Sequence, residues 1–529
     1  MRTMDFLLHH MLRSSAARYP DKEALVHNSE RLTYREVEST ARGLASGLRT
    51  AGVGRGDRIG IFLEPSTFQA IAIFAASYAN AVLVPMNHLL FPEQVAHIVN
   101  DCRIKCLITT TSKLQTLLPL LKQMSSVSFI VILRDNEVPD LSMPVYVFQD
   151  LSATNAGPAG DLCVEKDLAA IIYTSGSTGK PKGVMLTHAQ IMAGATIVST
   201  YLDITANDRI LALLPFSFDA GLNQIMTGFQ QGSTLVLNTF TLAREIVHVL
   251  AKETITGLAG VPTLWTLMAQ QQSGLRKTRL PNLRYITNTG GVMPKPVLDT
   301  LRKLLPDTQI FLMYGLTEAF RATYLPPNEL ERRPRSIGKA IPGTEILVIN
   351  DHGHLCKPGE VGELVQRGPT VSLGYWEQPD LTNRVLRPHP FPSPANQEEK
   401  VCYSGDLVTT DEEGFLYFVG RRDTMIKSSG YRISPTEVED VLFDSGRICA
   451  AAVIGVPDEI LGQHIKAFIV LKDGEAQDTE WFLRFCSEKM PRYMVPKSIE
   501  YVDDLPKTRN GKVDYQTLRN GEQLQPQLA

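Results

Sequence analysis

The first 335 residues alternate short apolar segments with segments of helical periodicity, and this alternation restricts the fold more than any other feature. Residues 33–48 place apolar side chains at helical spacing, and residues 57–63 then have the pattern of a strand. Residues 81–85 and 128–133 are further apolar runs of strand length. Strands separated by crossover helices form parallel sheets with helices on both faces. We therefore predict an α/β architecture.

Beyond the alternating region the pattern changes to short β segments with turn signals, at residues 345–349, 363–366 and 414–419. Such a series is typical of a small barrel-like β subdomain. Near the C-terminus, residues 450–455 and 467–471 predict two strands of a small domain with helices between them. A chain of 529 residues is too long for one core, because single cores stop growing at roughly 250–300 residues.

Composition excludes several classes of function. The chain is 43% hydrophobic and 21% charged, as in ordinary soluble proteins, and its net charge of −3 predicts no nucleic-acid surface. The most apolar stretch, residues 68–86, contains Gln69, Ser77 and Asn80, so it predicts a buried helix and strand and no membrane span. Seven scattered cysteines fit reduced thiols, so we expect a cytoplasmic protein.

Two adjacent histidines, His9 and His10, raise the question of a metal site near the N-terminus. Adjacent residues on a helix do not share a face. The pair therefore predicts the start of a surface helix and no metal site.

One segment carries chemistry of its own. Residues 174–184 read Thr-Ser-Gly-Ser-Thr-Gly-Lys-Pro-Lys-Gly-Val and directly follow the apolar run 168–173. Glycines let backbone amides approach an anion, the hydroxyl groups donate hydrogen bonds, and Lys180 and Lys182 add positive charge. The Walker loop differs, because it has four residues between its glycines, followed by Lys and Ser or Thr. The segment predicts a phosphate-binding loop at the end of a buried strand.

This loop resembles that of the adenylate-forming superfamily, which comprises acyl-CoA synthetases, amino-acid adenylation domains and luciferases. Four further segments resemble the family's motifs and follow in the family's order: Tyr314-Gly-Leu-Thr-Glu318, Tyr403-Ser-Gly-Asp-Leu407, residues 420–433 and residues 506–514. Together the motifs cover roughly residues 20 to 520. The resemblance implies that ATP and Mg²⁺ activate a carboxylic acid as its adenylate, with release of pyrophosphate.

The resemblance also implies a role for each matching residue. The carboxylate of the acid must approach the phosphates of ATP, so the protein has to neutralise charge and align the reactants. Lys512 is expected between the carboxylate and the α-phosphate, Thr317 donates to that phosphate, and Glu318 is the expected Mg²⁺ ligand. The residues expected to bind ATP are Thr174, Ser175, Gly176, Ser177, Thr178, Gly179, Lys182, Gly290, Gly291, Tyr314, Asp406 and Arg421.

The position of Lys512, far along the chain from the phosphate loop, implies two domains. By resemblance, residues 1–422 form a large N-terminal domain of two doubly wound αβ subdomains and the β-barrel-like subdomain. Residues 423–529 form a small mobile α+β domain that carries Lys512 and closes over the site for adenylation. In the family this domain then rotates about a hinge aspartate, here Asp423, for thioester formation.

The segment 214–223, which reads Leu-Pro-Phe-Ser-Phe-Asp-Ala-Gly-Leu-Asn, resembles the Phe-Asp motif of amino-acid-activating domains. There the aspartate, here Asp219, binds the substrate's ammonium or imino group. By the same resemblance the remaining pocket residues are Asn223, Ala259, Thr287, Thr289, Met313, Arg321 and Ala322. This modest pocket favours a small amino or imino acid, proline above all. The acceptor is then the phosphopantetheine thiol of a separate carrier protein.

Other features favour different functions. Residues 430–439 resemble acyl-CoA synthetases more than peptide-synthetase domains, so the alternative is an AMP-forming acyl-CoA ligase for a short or medium acid, with CoA as acceptor. Asp219 would then order its loop. Arg321 departs from the small apolar residue expected for proline, and either points outward or contacts an acidic substrate. A non-catalytic nucleotide-binding paralogue is a third alternative, against which the intact Lys512, Glu318 and Asp406 argue.

Overall fold

The structure is a computed structural model that describes residues 5–133, 137, 140–154, 160–175, 181–394, 397–422, 424–428, 431–458, 461–508 and 511–523. In chain order its strands are β1 (Glu23–His27), β2 (Glu30–Thr33), β3 (Arg58–Phe62), β4 (Val82–Pro85), β5 (Ile104–Thr110), β6 (Phe129–Leu133), β7 (Val145–Val147), β8 (Leu168–Ser175), β9 (Pro181–Thr187), β10 (Arg209–Ala212), β11 (Thr234–Leu237), β12 (Gly257–Gly260), β13 (Tyr285–Asn288), β14 (Gln309–Tyr314), β15 (Thr323–Leu325), β16 (Ser336–Ala340), β17 (Glu345–Ile349), β18 (Gly362–Arg367), β19 (Leu386–Pro388), β20 (Lys400–Thr410), β21 (Leu416–Arg421), β22 (Ile426–Ser428), β23 (Tyr431–Ile433), β24 (Ile448–Asp458), β25 (Gly462–Leu471) and β26 (Ser498–Tyr501). Its helices are α1 (Leu8–Arg18), α2 (Tyr34–Thr50), α3 (Thr67–Tyr78), α4 (Pro92–Asp101), α5 (Thr111–Leu121), α6 (Phe148–Ser152), α7 (His188–Tyr201), α8 (Asp219–Gln231), α9 (Ala243–Lys252), α10 (Pro262–Ala269), α11 (Lys295–Leu304), α12 (Pro379–Val385), α13 (Pro435–Asp444), α14 (Thr479–Lys489) and α15 (Tyr515–Gln523).

The predicted alternation of strands and helices forms two large sheets. The first has the order β7-β6-β5-β3-β4-β8-β9 and is parallel except for the β8–β9 hairpin. The second has the order β17-β18-β20-β21-β16-β15-β14-β13-β12-β10-β11-β1-β2 and is parallel from β14 to β1. The β segments predicted after residue 335 extend this second sheet as antiparallel strands, through β15 and β16. The predicted α/β fold is therefore confirmed.

A layer of helices lies between the two sheets and forms the largest apolar core. Phe74 of α3 packs there with Ile61 of β3 and Leu237 of β11, one strand from each sheet. Alternate residues of β5 face opposite sides of the first sheet, because side chains alternate along a strand. Cys106 thus faces the helical layer and Leu107 faces the outer helices α4 and α5.

Local capping signals set where the central helices begin. Thr33 ends β2 and caps α2: its hydroxyl accepts from the amide of Glu36, whose carboxylate accepts from the amide of Thr33 at 2.7 Å. Thr187 and Gln190 form the same reciprocal arrangement at the start of α7. Each box satisfies backbone amides that lack a partner within the helix. The strand-to-helix turns that shape the site are thereby fixed by short sequence motifs.

The prediction that His9 and His10 lie on a surface helix is wrong, because both are buried in α1. Their Nε2 atoms lie 2.9 and 3.0 Å from the two oxygens of Asp161. Burial lowers the pKa of His9 to about 3 and also lowers the pKa of His10, so both rings are neutral at physiological pH. The amide of Phe6 donates to Nδ1 of His10, so Nε2 of that ring carries its proton and donates it to the carboxylate. The two histidines therefore bind the Asp161 carboxylate and connect α1 to the segment that precedes β8.

The small C-terminal unit packs α13 and α14 against a three-stranded sheet of order β24-β25-β26. The predicted helix between its first two strands is wrong: β24 and β25 are long, adjacent and antiparallel, with register from Ile448 opposite Leu471 to Asp458 opposite Gly462. A helical crossover occurs one step later, where α14 connects the parallel strands β25 and β26. Apolar runs alone did not distinguish a hairpin from a crossover.

Among the helices of the described residues, none is long and apolar enough to cross a bilayer. The cysteines are free thiols, and four of them, Cys102, Cys106, Cys402 and Cys486, are buried. The predicted cytoplasmic location stays a prediction.

A buried carboxyl group in the small unit gives a pH-dependent stability. Glu439 of α13 accepts hydrogen bonds from the Val453 amide and the Tyr515 hydroxyl, both at 2.8 Å, and burial raises its pKa to about 7. Because the folded state holds this proton at pH values where the unfolded chain has lost it, the stabilisation is complete below pH 4.5 and is lost as the pH rises to 7. Glu439→Gln should therefore flatten the fall in melting temperature between pH 5 and 7.5.

Differential scanning calorimetry of the full chain at several pH values would measure this slope. Glu480→Gln, an exposed change on α14, is the matched control and should keep the wild-type slope. Parallel pH profiles for wild type and Glu439→Gln would show that Glu439 titrates normally.

Candidate active site

The arms of the predicted phosphate loop form a hairpin at the edge of the first sheet. Thr174 and Ser175 end β8, and Lys182 lies near the start of β9 directly opposite Thr174. The site residues Gly176, Ser177, Thr178 and Gly179 lie outside the described residues, so their role stays a prediction. Since β8 is parallel to β4, the hairpin leaves the sheet at the carboxyl end of a parallel strand, where α/β proteins place their ligands.

Glu318 and Thr317 lie in the turn that follows β14. The hydroxyl of Tyr375 donates to a carboxylate oxygen of Glu318, and the backbone of residues 373–376 is hydrogen-bonded to β9. Burial raises the pKa of Tyr375, so its phenol remains a donor. The phosphate hairpin and the predicted Mg²⁺ ligand are therefore held together through Tyr375, a residue that the sequence analysis missed because no spacing connects it to Glu318.

The predicted ribose contacts are brought together by strand register. Asp406 of β20 pairs with Arg421 of β21, and their side chains form an ion pair of 3.0 Å. The hydroxyl of Tyr314, at the end of β14, donates to the other oxygen of Asp406. Burial raises the pKa of Tyr314 well above its usual value, so the phenol stays protonated. Arg421 is half exposed and therefore accessible to a ligand.

The carboxyl ends of β12, β13 and β14 lie side by side in the second sheet. The turn after β13 contains Gly290, at a φ of +80°, and Gly291, whose carbonyl accepts from Asn288 at 2.8 Å. A methyl group on Gly290 would lie 3.0 Å from Cε of Lys512. The backbone angle favours glycine at position 290, and the Lys512 side chain lies close to it.

Lys512 reaches this turn from the small C-terminal unit. Its Nζ lies 5.3 Å from the centre of the Phe218 ring, and the preceding residue, Gly511, accepts a 3.0 Å hydrogen bond from Thr263. Asp423 lies outside the described residues, so its hinge role and the domain boundary stay predictions. In this arrangement the small unit places a cation beside the turn that contains the predicted ATP-binding residues Gly290 and Gly291.

A small, partly open cavity of ≈ 30 Å³ lies between α7, α8 and the ends of β12–β14. Every predicted pocket residue other than Asp219 and Ala322 lines it, namely Asn223, Ala259, Thr287, Thr289, Met313 and Arg321. The sequence analysis missed polar lining residues on the neighbouring elements, namely Gln224, Thr227 and Tyr285. Val198, Leu202, Ile204 and Ile210 add an apolar wall.

Asp219 begins α8, is 3% exposed, and faces Arg321 across the pocket wall. Its Oδ2 lies 3.6 Å from Nη1 of Arg321, which is 5% exposed. The alternative that Arg321 points outward is therefore wrong. The carboxylate assigned to a substrate ammonium has a cationic neighbour within the protein itself.

Comparisons with known proteins agree with this geometry. The AMP-binding enzyme family matches residues 12–376, and the AMP-binding enzyme C-terminal domain matches residues 437–512. The chain is 32% identical to a feruloyl-CoA synthase of Amycolatopsis, over 93% of this chain and 94% of that protein. It is 29% identical to a long-chain-fatty-acid–CoA ligase of Bacillus subtilis, over 96% of this chain and 93% of that protein. The crystal structure of the anthranilate CoA ligase AuaEII, with anthranoyl-AMP, superposes with a TM-score of 0.89 at 25% identity and covers 98% of each chain.

Replacing the predicted metal ligand tests its role. Glu318→Gln removes a negative charge but keeps an acceptor for Tyr375, so the variant should need more Mg²⁺ to reach half of its residual rate. Initial rates of AMP formation over a Mg²⁺ titration give this number. Glu331→Gln, an exposed change, should leave the titration as in wild type. The same half-saturating Mg²⁺ concentration in Glu318→Gln and wild type would remove Glu318 from the metal site.

Replacing Lys512 should affect the two half-reactions differently. Lys512→Ala should slow adenylation by about 10²–10³, the usual cost of one donor to a charged transition state, and leave ATP binding nearly intact. Thioester formation from supplied acyl-adenylate should suffer much less, because the predicted rotation moves this residue away. Lys489→Ala, exposed on α14, is the control. Equal losses in both half-reactions would contradict the two-conformation prediction.

Proposed function

Since the chain belongs to the AMP-binding enzyme family, we propose that it is an AMP-forming ligase that joins a short carboxylic acid to the thiol of CoA. Membership makes it an ATP-dependent, AMP-forming acid–thiol ligase that uses ATP and Mg²⁺. The main structural support for this proposal is the position of Lys512. Its side chain lies against Gly290, and the neighbouring Thr289 lines the acyl cavity.

In the first half-reaction a carboxylate oxygen of the acid attacks the α-phosphorus of ATP. The new O–P bond forms as the bond to pyrophosphate breaks, and the acyl group remains attached to AMP. Lys512 would neutralise the charge between the two reactants, and Thr317 would donate to the α-phosphate. Glu318 would hold Mg²⁺, which when bound offsets the charge of the phosphates.

The nucleotide would be held at its ribose by Asp406 and Arg421, whose opposite charges match the two hydroxyl groups and the neighbouring phosphate. In the second half-reaction the CoA thiol loses its proton to solvent, its sulfur attacks the acyl carbon, the C–S bond forms, and the C–O bond to AMP breaks. The leaving AMP takes both electrons of that bond. The proposed rotation of the small unit would withdraw Lys512 before this step.

Three observations favour CoA and a short acid over the main prediction of proline and a carrier protein. The relatives that match along nearly their whole length carry names of CoA ligases. Asp219 lies beside Arg321, so an ammonium group would meet a buried cation next to its intended partner. The cavity of ≈ 30 Å³ has room for roughly two waters, and this small size supports a short acid.

The direct test is a panel of acids with ATP, Mg²⁺ and CoA. We expect AMP and an acyl-CoA, in equal amounts, from at least one acid of two to six carbons or with one ring, and little of either from proline. Chromatography with mass detection measures both products. Proline-dependent pyrophosphate exchange without any CoA thioester would overturn the proposal and return the chain to the amino-acid-activating branch.

A further inference from the structure

A group of buried polar atoms, three in the lining of the acyl cavity and one beside it, has no part in the adenylation chemistry. These four atoms have no hydrogen-bond partner among the described residues, and we call them the inner polar group: Asp219 Oδ1, Asn223 Nδ2, Gln224 Oε1 and Arg321 Nε. Asn223, Gln224 and Arg321 line the cavity, and Asp219 lies beside Arg321. Buried polar atoms normally have partners, since each unsatisfied one costs about 1–3 kcal/mol. The missing partner points to a ligand.

Arg321 is the least satisfied member. Within the described residues its guanidinium donates no hydrogen bond and has only the 3.6 Å approach to Asp219 and a 5.8 Å contact with the Phe320 ring. Its backbone is fixed, because Gln366 and Thr370 both donate to its carbonyl and Phe320 before it has a φ of +54°. A rigid backbone that directs an unsatisfied guanidinium into a cavity is typical of a preorganised binding site.

The charges of the inner polar group exclude two classes of acid. A second carboxylate on the substrate would satisfy Arg321, but it would leave two carboxylates beside one buried cation. An ammonium group would satisfy Asp219, but it would leave Arg321 with a second cation for a neighbour. Each case places one uncompensated charge in a region where both protein side chains are about 95% buried, which is costly.

A neutral group that both donates and accepts hydrogen bonds meets all the requirements. A carboxamide has an oxygen that can accept from Arg321 and Asn223 and two N–H protons that can donate to Asp219 and Gln224, whereas a hydroxyl has one proton and can donate to one of these two acceptors. Hydroxyl and carboxamide groups have this character, and neither disturbs the charge balance of the pair.

We infer that the substrate is a short acid that carries an uncharged hydroxyl or carboxamide at the end remote from its reacting carboxyl group. The Asp219–Arg321 pair then acts as a specificity filter that rejects dicarboxylic and amino acids by repulsion. This inference rests on the proposed function, because it concerns the acid that the same ligase activates.

A series of acids with one variable end tests the inference on the wild-type protein. Suitable members are pentanoate, 4-hydroxybutyrate, succinamate, succinate and 4-aminobutyrate, with a para-substituted benzoate series for ring substrates. We expect kcat/KM for the hydroxyl or carboxamide member to exceed those of the methyl and both charged members by at least about tenfold. A site built to hydrogen-bond a substrate group discriminates strongly against analogues that lack it.

Two variants test the charge argument in opposite directions. Asp219→Asn leaves Arg321 as the only charge, so the preference should shift towards the dicarboxylic acid. Arg321→Gln leaves Asp219 alone, so it should shift towards the amino acid. Asp307→Asn and Arg276→Gln, which are exposed, make the same chemical changes elsewhere and should keep the wild-type ranking. If the variants do not fold, the wild-type series still decides.

The outcomes separate this inference from the proposed function. Equal kcat/KM values across the series, or a wild-type preference for the methyl, succinate or aminobutyrate member, would overturn the inference and leave the ligase function standing. Absence of AMP and acyl-CoA with every acid tested would overturn the proposed function, and the inference with it. Parallel shifts of both variants towards the same acid would also contradict the charge argument.

Discussion

Activation of an acid by ATP requires a positive charge where two anions meet, and the architecture of this chain depends on supplying it. The proposed source of this charge is Lys512, which belongs to the small C-terminal unit and reaches a turn of the large one. That turn needs Gly290 for its backbone angle. Thr263 of α10 and Phe218, directly before α8, contact the approaching loop. A lysine on a separate unit can be placed for one half-reaction and withdrawn for the other.

The two sheets determine which groups surround that lysine. The phosphate hairpin comes from the first sheet, whereas Tyr314 and Glu318 follow β14 of the second. Tyr375 joins them, since it lies beside β9 and donates to Glu318. The antiparallel extension of the second sheet contributes Asp406 and Arg421. Hydrogen bonds thus connect groups from several parts of the chain, Glu318 with Tyr375 and Tyr314 with Asp406.

The sequence was sufficient wherever a short segment determines its own structure. The strand before the phosphate loop, the capped helix α2 and the predicted pocket residues around Thr289 all follow from contiguous motifs or from resemblance to them. Side-chain pairing across long distances was not predictable in this way. The clamp of His9 and His10 on Asp161 joins residues that no spacing rule connects. The β24–β25 hairpin was missed because apolar runs record burial and not the direction of the neighbouring strand.

Asp219 shows most clearly why a motif residue considered alone can mislead, because its neighbour Arg321 changes what it can bind. Asp219 alone predicts an ammonium site, because a lone buried carboxylate needs a cation. The fold supplies that cation from the turn after β14, so the two residues together form a neutral pair. A neutral pair with unsatisfied atoms selects for hydrogen-bonding groups and against charge, which is the opposite of what either residue would select alone. In the proposed nucleotide site the charges of the chain would offset those of ATP, whereas Asp219 and Arg321 offset each other. On this proposal the chain separates charge-based catalysis from charge-neutral recognition.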